Sequence, residues 1–168
     1  MFSRLRTTAA AALSCALLLA GAGEVRAGVG ADLIKRLEGY RSTAYQDGGG
    51  VWTICWGLTG QVAHPGVRYS QAQCEALFRH RLAQHREAVR DAAGEMTPEQ
   101  EAALLSFSWN VGIAAMRRST LIRHHRAGEC WAAAGQFERW VYADGQRLAG
   151  LERRRRIERD LYMKGCKP

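Results

Sequence analysis

The segment from Glu38 to Gly60 constrains the fold more than any other part of the chain, because it combines turn residues, a short strand and three chemically useful side chains. It begins where the helical spacing of Asp32 to Glu38 stops at a glycine. It continues through Asp47 and three glycines into Val51 to Trp56, a run rich in β-branched and aromatic residues. The pattern predicts a helix end followed by a tight hairpin.

The three chemically useful side chains are Glu38, Asp47 and Thr53. If the hairpin folds back over the helix end, Asp47 and Thr53 face Glu38 across a gap. Glycoside hydrolysis needs such a pair of carboxyl groups. One is protonated and gives its proton to the leaving oxygen, and the other is ionised and either activates a water molecule or attacks the sugar. Each residue alone has an ordinary explanation, as a helix-end carboxylate, a turn former and a strand residue. Their combination at this spacing favours a catalytic trio.

The segment also resembles the active-site region of phage-type endolysins, the lysozymes of glycoside hydrolase family 24. The similarity continues into a second region with the same order of motifs, so that it spans roughly residues 31–163. The matching motifs are Glu38-Gly39, Ala44-Tyr45-x-Asp47, Gly50 to Ile54 with Gly57, Thr59 and Gly60, Phe107 to Gly112, Ser119 to Leu121, Gly150-Leu151, Arg153-Arg154 and Glu158.

The resemblance implies a role for each member of the trio. Glu38 would be the proton donor, Asp47 would position the attacking water or stabilise positive charge, and Thr53 would help to hold that water. The family is usually treated as inverting, which implies a gap of about 6.5–9.5 Å between the carboxyl groups. Thr59, Trp109 and Thr120 are implied as weaker sugar contacts, and Trp109 is equally well explained as a core residue.

The resemblance and the helical periodicity together predict an α+β, mostly α, two-lobed lysozyme-like fold. Its N-terminal lobe, residues 28–69, would hold a small antiparallel sheet, and a bridging helix at 70–93 would join it to a helical lobe at 94–168. Capping boxes at Ser70 and Thr97 mark two helix starts, and Gly94 ends the bridging helix.

Three further helices are expected in the second lobe, at Ser119 to His125, Glu129 to Tyr142 and Leu151 to Met163. The last of them contains the basic run Arg153 to Arg156. Acidic residues lie four positions away from these arginines, so we expect the run to form a solvated helix face on which the charges pair with one another. Part of the run is also expected to contact the anionic bacterial cell wall or to line the cleft.

Residues 1–27 have the pattern of an export segment, with Arg4 and Arg6 before an uncharged run and a small-residue cleavage site at Ala27. Two interpretations stand: a cleaved signal peptide, or a signal-arrest-release anchor of the kind that some relatives use. In both, the enzyme is exported to the periplasm, and in the second it is first tethered to the host inner membrane.

Because the periplasm is an oxidising compartment, export predicts that the cysteines form disulfides. Cys55, Cys74, Cys130 and Cys166 allow three pairings, of which Cys55–Cys74 and Cys130–Cys166 keep each bond within one lobe. The alternative is four buried thiols that pack as small hydrophobic groups.

The formal net charge of +8 predicts attraction to anionic surfaces such as peptidoglycan. No nucleic-acid fold signature, metal motif or phosphate-binding glycine loop is present, so no nucleic-acid partner, metal or cofactor is expected, and a monomer is assumed. The predicted activity is hydrolysis of the β-1,4 bond between N-acetylmuramic acid and N-acetylglucosamine for host lysis. The rival functions are a peptidoglycan endopeptidase or amidase using Cys55 with His64 or His80, and a non-enzymatic cationic wall binder.

Overall fold

The structure, a computed structural model, describes residues 28–167, so the predicted export segment at 1–27 lies outside the described part. Helix α1 covers residues 28–38. The other elements follow in chain order: β1 Arg41–Gln46, β2 Trp52–Cys55, β3 Leu58–Thr59, α2 Gln71–Ala93, α3 Pro98–Val111, α4 Ile113–Arg117, α5 Thr120–Arg126, α6 Cys130–Gln136, β4 Tyr142–Ala143, β5 Gln146–Arg147 and α7 Ala149–Met163. This is the predicted mostly helical fold with small antiparallel sheets.

The first sheet is a three-stranded antiparallel meander in the order β1-β2-β3. Tyr45 lies opposite Thr53, which in turn lies opposite Thr59. Successive residues of a strand point to opposite faces of its sheet, and Thr53, Ile54 and Cys55 of β2 are all buried. Both faces of this short strand are therefore covered.

Helices α2 and α3 begin at the two predicted capping boxes. The side chain of Ser70 accepts from the backbone of Gln73, and that of Thr97 accepts from the backbone of Gln100. Both glutamines return the bond, which satisfies donors that a helix start otherwise leaves unpaired. Gly94 ends α2 with a positive φ of 79°, as its sequence position indicates.

The core of the helical lobe forms around α3, in which every residue from Ala102 to Ser108 is buried. Helix α7 packs along α3, and α2 packs on it as well. Phe107 of α3 contacts Phe137 and Trp140 edge-to-face, at 5.4 and 5.2 Å between ring centroids. A helix buried on all sides in this way fixes the positions of the elements around it.

Two disulfides join Cys55 to Cys74 and Cys130 to Cys166, the pairing that proximity in the sequence favoured. The first connects β2 to α2, and the second connects α6 to the end of the chain. Four free buried thiols, the alternative, are therefore not what the structure shows.

The helix predicted at Glu129 to Tyr142 was wrong in its second half. Helix α6 ends at Gln136, a 3-10 turn follows at Phe137–Arg139, and Tyr142 begins the β4–β5 hairpin. Asp144 and Gly145 make its turn with φ of 49° and 74°. Two successive positive φ values are what a tight two-residue hairpin turn requires, and an Asp-Gly pair is a recognised signal for it.

Within residues 28–167, no helix combines the length and the apolar character that a membrane crossing needs.

Candidate active site

A cleft of about 510 Å³ brings the predicted trio together. Glu38, Asp47 and Thr53 all line it, and so do the predicted sugar contacts Thr59 and Trp109. Thr120 does not belong to this lining; it lies at the start of α5, where its hydroxyl oxygen accepts a long hydrogen bond from Arg123. The remaining lining residues are Tyr45, Gly57, Leu58, Arg81, His85, Asn110, Val111, Gly112 and Ile113.

Glu38 is the last residue of α1, and its carboxylate is held from the far end of the chain. Gly39, with φ of 70°, turns the backbone away from the helix. The Nη1 group of Arg154 donates to Oε1 of Glu38 at 2.6 Å. Because this bond engages Oε1, the second oxygen, Oε2, is the one that can contact another group.

Gly57 makes room for that second oxygen. A Cβ built on Gly57 would lie 2.6 Å from Oε2 of Glu38, a separation that Cβ atoms essentially never show, so the Glu38 side chain would have to shift. Gly57 also has φ of 76°, which residues with a side chain rarely adopt. The close approach and the backbone conformation both require glycine here.

Asp47 is exposed at the tip of the β1–β2 hairpin, and its carboxylate is oriented by the turn itself. Oδ1 accepts from the backbone N–H groups of Gly49 and Val51, at 3.0 and 2.9 Å. This is the usual way in which an aspartate organises a tight turn. It leaves Oδ2 available on the side of Thr53.

Thr53 is buried in the middle of the sheet, with only 4% of its surface exposed. Its hydroxyl donates to the carbonyl of Val51 at 3.1 Å and lies 3.5 Å from Oδ2 of Asp47. Asp47 and Thr53 therefore present adjacent oxygen atoms to the same cleft, which could together hold a water molecule.

Arg154 connects Glu38 to a buried polar cluster. Its other members are Arg155, Glu158 and Ser106. Arg154 bonds to Glu158 at 3.1 Å and to the carbonyl of Ser106, whose own hydroxyl donates to Glu158 at 2.7 Å. Burial raises the pKa of Glu158, and the charges of Arg155 and Arg154 oppose that shift. Burial also disfavours the charged form of Arg155 and lowers its pKa to about 10, although the negative charge of Glu158 opposes this shift.

The prediction that Arg153 to Arg156 form a self-paired, solvated face was therefore wrong for its two central members. Arg154 and Arg155 are buried, and Arg155 lies over the ring of Phe107 at 5.1 Å. The spacing from Arg154 to Glu158 does form an ion pair, but inside the protein. Helical spacing shows which residues can pair, whereas the packing of α7 on α3 decides which face is buried.

His85, Arg81 and Asn110 also line the cleft, although no sequence motif predicted them as site residues. His85 is buried on α2, where Nδ1 lies 2.8 Å from the hydroxyl of Ser108 and its ring lies 5.2 Å from that of Trp109. Burial lowers the pKa of His85 to about 4, and the charge of Arg81 adds to the shift. His85 shares a face of α2 with Phe78 and Val89, so helical spacing indicated that it would face inward.

Cys55, the nucleophile of the rival endopeptidase or amidase function, is bonded to Cys74. A disulfide sulfur has no thiolate with which to attack a carbonyl group. His80, one of its suggested partners, is exposed and contacts Gln84. Among residues 28–167, no group of three or more His, Cys, Asp and Glu side chains could hold a metal ion.

Comparison with known proteins identifies similar chains. Residues 35–158 match the family model described as phage lysozyme. A SAR-endolysin of bacteriophage PS119 is 39% identical over 130 residues, which cover 77% of this chain and 78% of the relative. A SAR-endolysin of Escherichia phage Mu is 38% identical over 126 residues, covering 73% and 71%.

Two solved structures are similar over most of their length. The muramidase domain of SpmX from Asticaccaulis excentricus is 35% identical, with a TM-score of 0.72 over 83% of this chain and 95% of that domain. The active form of the P1 phage endolysin Lyz is 26% identical, with a TM-score of 0.75 over 88% and 90%. The region matched by the family model includes all three residues of the trio.

Proposed function

Because the chain belongs to the phage lysozyme family, we propose that Glu38, Asp47 and Thr53 are its catalytic residues. The chain is a muramidase that serves host cell lysis, with peptidoglycan as its substrate. Within this activity we assign it to glycoside hydrolase family 24, on the motifs that surround the trio. The observation that carries the assignment of residues is that all three line one cleft.

Glu38 acts as the general acid. Its Oε2 transfers a proton to the glycosidic oxygen, so that the bond from this oxygen to the anomeric carbon of N-acetylmuramic acid breaks and N-acetylglucosamine leaves as an alcohol. Arg154 holds Oε1 at 2.6 Å and thereby keeps the proton-bearing oxygen beside Gly57, in the lining of the cleft that the sugar enters. After the step, Arg154 stabilises the carboxylate that the proton transfer leaves behind.

Asp47 and Thr53 act on the water. The proposed water lies between Oδ2 of Asp47 and the hydroxyl of Thr53, which are 3.5 Å apart. It attacks the anomeric carbon while Asp47 accepts its proton, and the negative charge of Asp47 also stabilises the positive charge that develops on the sugar ring. We expect inversion at the anomeric carbon, with the two carboxyl groups separated by about 6.5–9.5 Å.

We also propose the compartment and the path to it. The enzyme acts in the periplasm as a monomer, and residues 1–27 first hold it at the inner membrane. The SAR-endolysin names of its relatives support a signal-arrest-release anchor over a cleaved signal peptide. Cell fractionation of an epitope-tagged full chain, before and after lysis begins, tests this: a full-length protein that leaves the membrane supports the anchor, and a shortened one supports cleavage.

Glu38→Gln tests the catalytic assignment, because it keeps the shape of the side chain and removes the acid. We expect the rate of reducing-end release from purified peptidoglycan to fall by about 10²–10⁴-fold, the usual contribution of a general acid. Glu87→Gln on the exposed face of α2 is the matched control and keeps full activity. If the Glu38 variant lyses cells as well as the parent does, the cationic wall binder is the correct function instead.

A further inference from the structure

Arg81 is a cation in the cleft to which the mechanism assigns no role. It lies on α2, partly buried, one helical turn before His85, and it belongs to the cleft lining. Across the part of the chain that the structure describes, its guanidinium forms no hydrogen bond or salt bridge with another side chain. A guanidinium presents five donors in a fixed plane, and a partly buried one is stabilised by an anion that accepts them.

Neither carboxylate of the cleft bonds to Arg81 in the described part of the chain. Glu38 is bonded to Arg154, and Asp47 accepts two backbone N–H groups of its own turn. His85, one helical turn after Arg81, is neutral at physiological pH because its pKa is lowered to about 4, so it adds no second positive charge to the cleft. The cleft thus offers one uncompensated guanidinium to whatever enters it.

The chemistry of the glycan strand supplies a suitable partner. Its sugar hydroxyl and acetamido groups are neutral, so its negative charge comes from carboxylates attached to muramic acid. These are the lactyl carboxylate where the peptide stem is absent, and the carboxylates of the stem where it is present. A guanidinium binds a carboxylate with two parallel hydrogen bonds, which fix direction as well as affinity.

We propose that Arg81 binds a carboxylate carried by muramic acid and so sets the register of the glycan strand in the cleft. This inference rests on the proposed muramidase function and names a contact that discriminates peptidoglycan from neutral amino-sugar polymers. Arg81 is a binding residue here and takes no part in the transfer of protons.

Kinetics of Arg81→Gln on three forms of the strand test the proposal, using the full chain. The forms are soluble strands with peptide stems, strands stripped by an amidase so that only lactyl carboxylates remain, and stripped strands whose carboxylates are converted to amides. On at least one charged form we expect KM to rise about tenfold, with kcat within about twofold, since a charge-assisted hydrogen bond in an open cleft is lost. The charged form that is affected identifies the carboxylate.

The amidated strands and two further variants provide the controls. On amidated strands the parent and Arg81→Gln should have the same KM, and Arg81→Lys should lie between them on charged strands because it keeps the charge without the planar fork. Arg79→Gln, an exposed arginine on the same helix, should behave as the parent on all three. An equal loss on amidated strands, or no loss on any form, would overturn the proposal.

Binding measured without turnover separates this inference from the proposed function. In the Glu38→Gln background, fluorescence anisotropy of labelled stripped and stem-bearing strands should show about tenfold weaker binding when Arg81→Gln is added. If the parent releases no reducing ends, the muramidase assignment fails, and these binding data still decide whether Arg81 recognises a carboxylate. Unchanged binding to both charged strands rejects the Arg81 site whatever the activity.

Discussion

Gly57 and Glu38 are packed so closely that a single added methyl group at Gly57 would overlap the carboxyl group of Glu38. The Cβ position of Gly57 is 2.6 Å from Oε2 and 2.9 Å from the carboxyl carbon of Glu38. The strand-to-turn segment after β2 therefore forms the wall against which the Glu38 carboxyl group, the proposed general acid, rests. This wall can lie so close to Glu38 only because Gly57 has no side chain.

Gly57→Ala should displace the Glu38 carboxyl group and lower kcat by at least about tenfold, because a misplaced acid loses alignment with the leaving oxygen. Gly60→Ala is the matched control: Gly60 has φ of 82° but nothing within 4 Å of its Cβ position. Both variants should lose about 1 kcal/mol of stability from backbone strain. Steady-state kinetics and urea unfolding of both measure the difference, and equal kinetic losses would contradict a role for the clash.

Arg154 connects Glu38 to the buried cluster, so Arg154→Ala should lower both stability and activity. Removing it leaves Glu158 buried with one cation fewer, which costs about 3–5 kcal/mol. Arg154→Lys keeps the charge and should recover most of the stability but only part of kcat, since one ammonium group cannot reach three acceptors in the guanidinium geometry. Arg153→Ala, an exposed neighbour, should stay within about 0.5 kcal/mol of the parent. A lysine variant with full kcat would show that Arg154 does not position the acid.

His85 should make the protein less stable in acid. Its pKa is lowered from 6.5 to about 4 in the folded state, so above pH 6.5 the imidazole is neutral in both states and its full contribution is present. Between pH 6.5 and about 4 only the unfolded chain binds the proton, and the free energy of unfolding falls by roughly 2–3 kcal/mol. Below about pH 4 that loss is complete.

Urea unfolding at several pH values, compared with His85→Asn, measures this contribution. Asparagine keeps a polar group near Ser108 and removes the titration, so the decrease in stability between pH 6.5 and 4 should be smaller by that amount. His80→Asn, at an exposed position of the same helix, should keep the pH dependence of the parent. If the His85 and His80 variants have the same slope, His85 does not titrate as described.

The disulfides should each contribute to stability, the longer loop slightly more than the shorter one. The Cys130–Cys166 bond joins residues 36 positions apart and the Cys55–Cys74 bond joins residues 19 apart. Loop-closure entropy assigns each about 3–4 kcal/mol, slightly more to the longer loop. Paired Cys→Ser variants should therefore have lower urea midpoints, and a reductant should shift the midpoint of the parent in the same direction. No shift under complete reduction would show that the bonds add nothing.

The parts of the protein that the sequence predicted well are local ones. The capping boxes at Ser70 and Thr97 specify helix starts within four residues, and the turn at Asp47 is fixed by bonds to Gly49 and Val51. The spacing of Glu38, Asp47 and Thr53 could be interpreted because all three lie in one continuous segment. The Asp144-Gly145 turn was equally local, and its signal was present but not used.

What the tertiary structure decided depends on groups far apart in the chain. Arg154 reaches Glu38 across 116 positions, and His85 reaches Ser108 across 23. Neither contact follows from helical periodicity. Periodicity shows which residues share a face of one helix, whereas the partner on another element depends on how the two elements pack. Sequence determined most helix starts and the turns, and it singled out Glu38 as the proposed acid; the packing of α7 on α3 determined the surroundings of that carboxyl group.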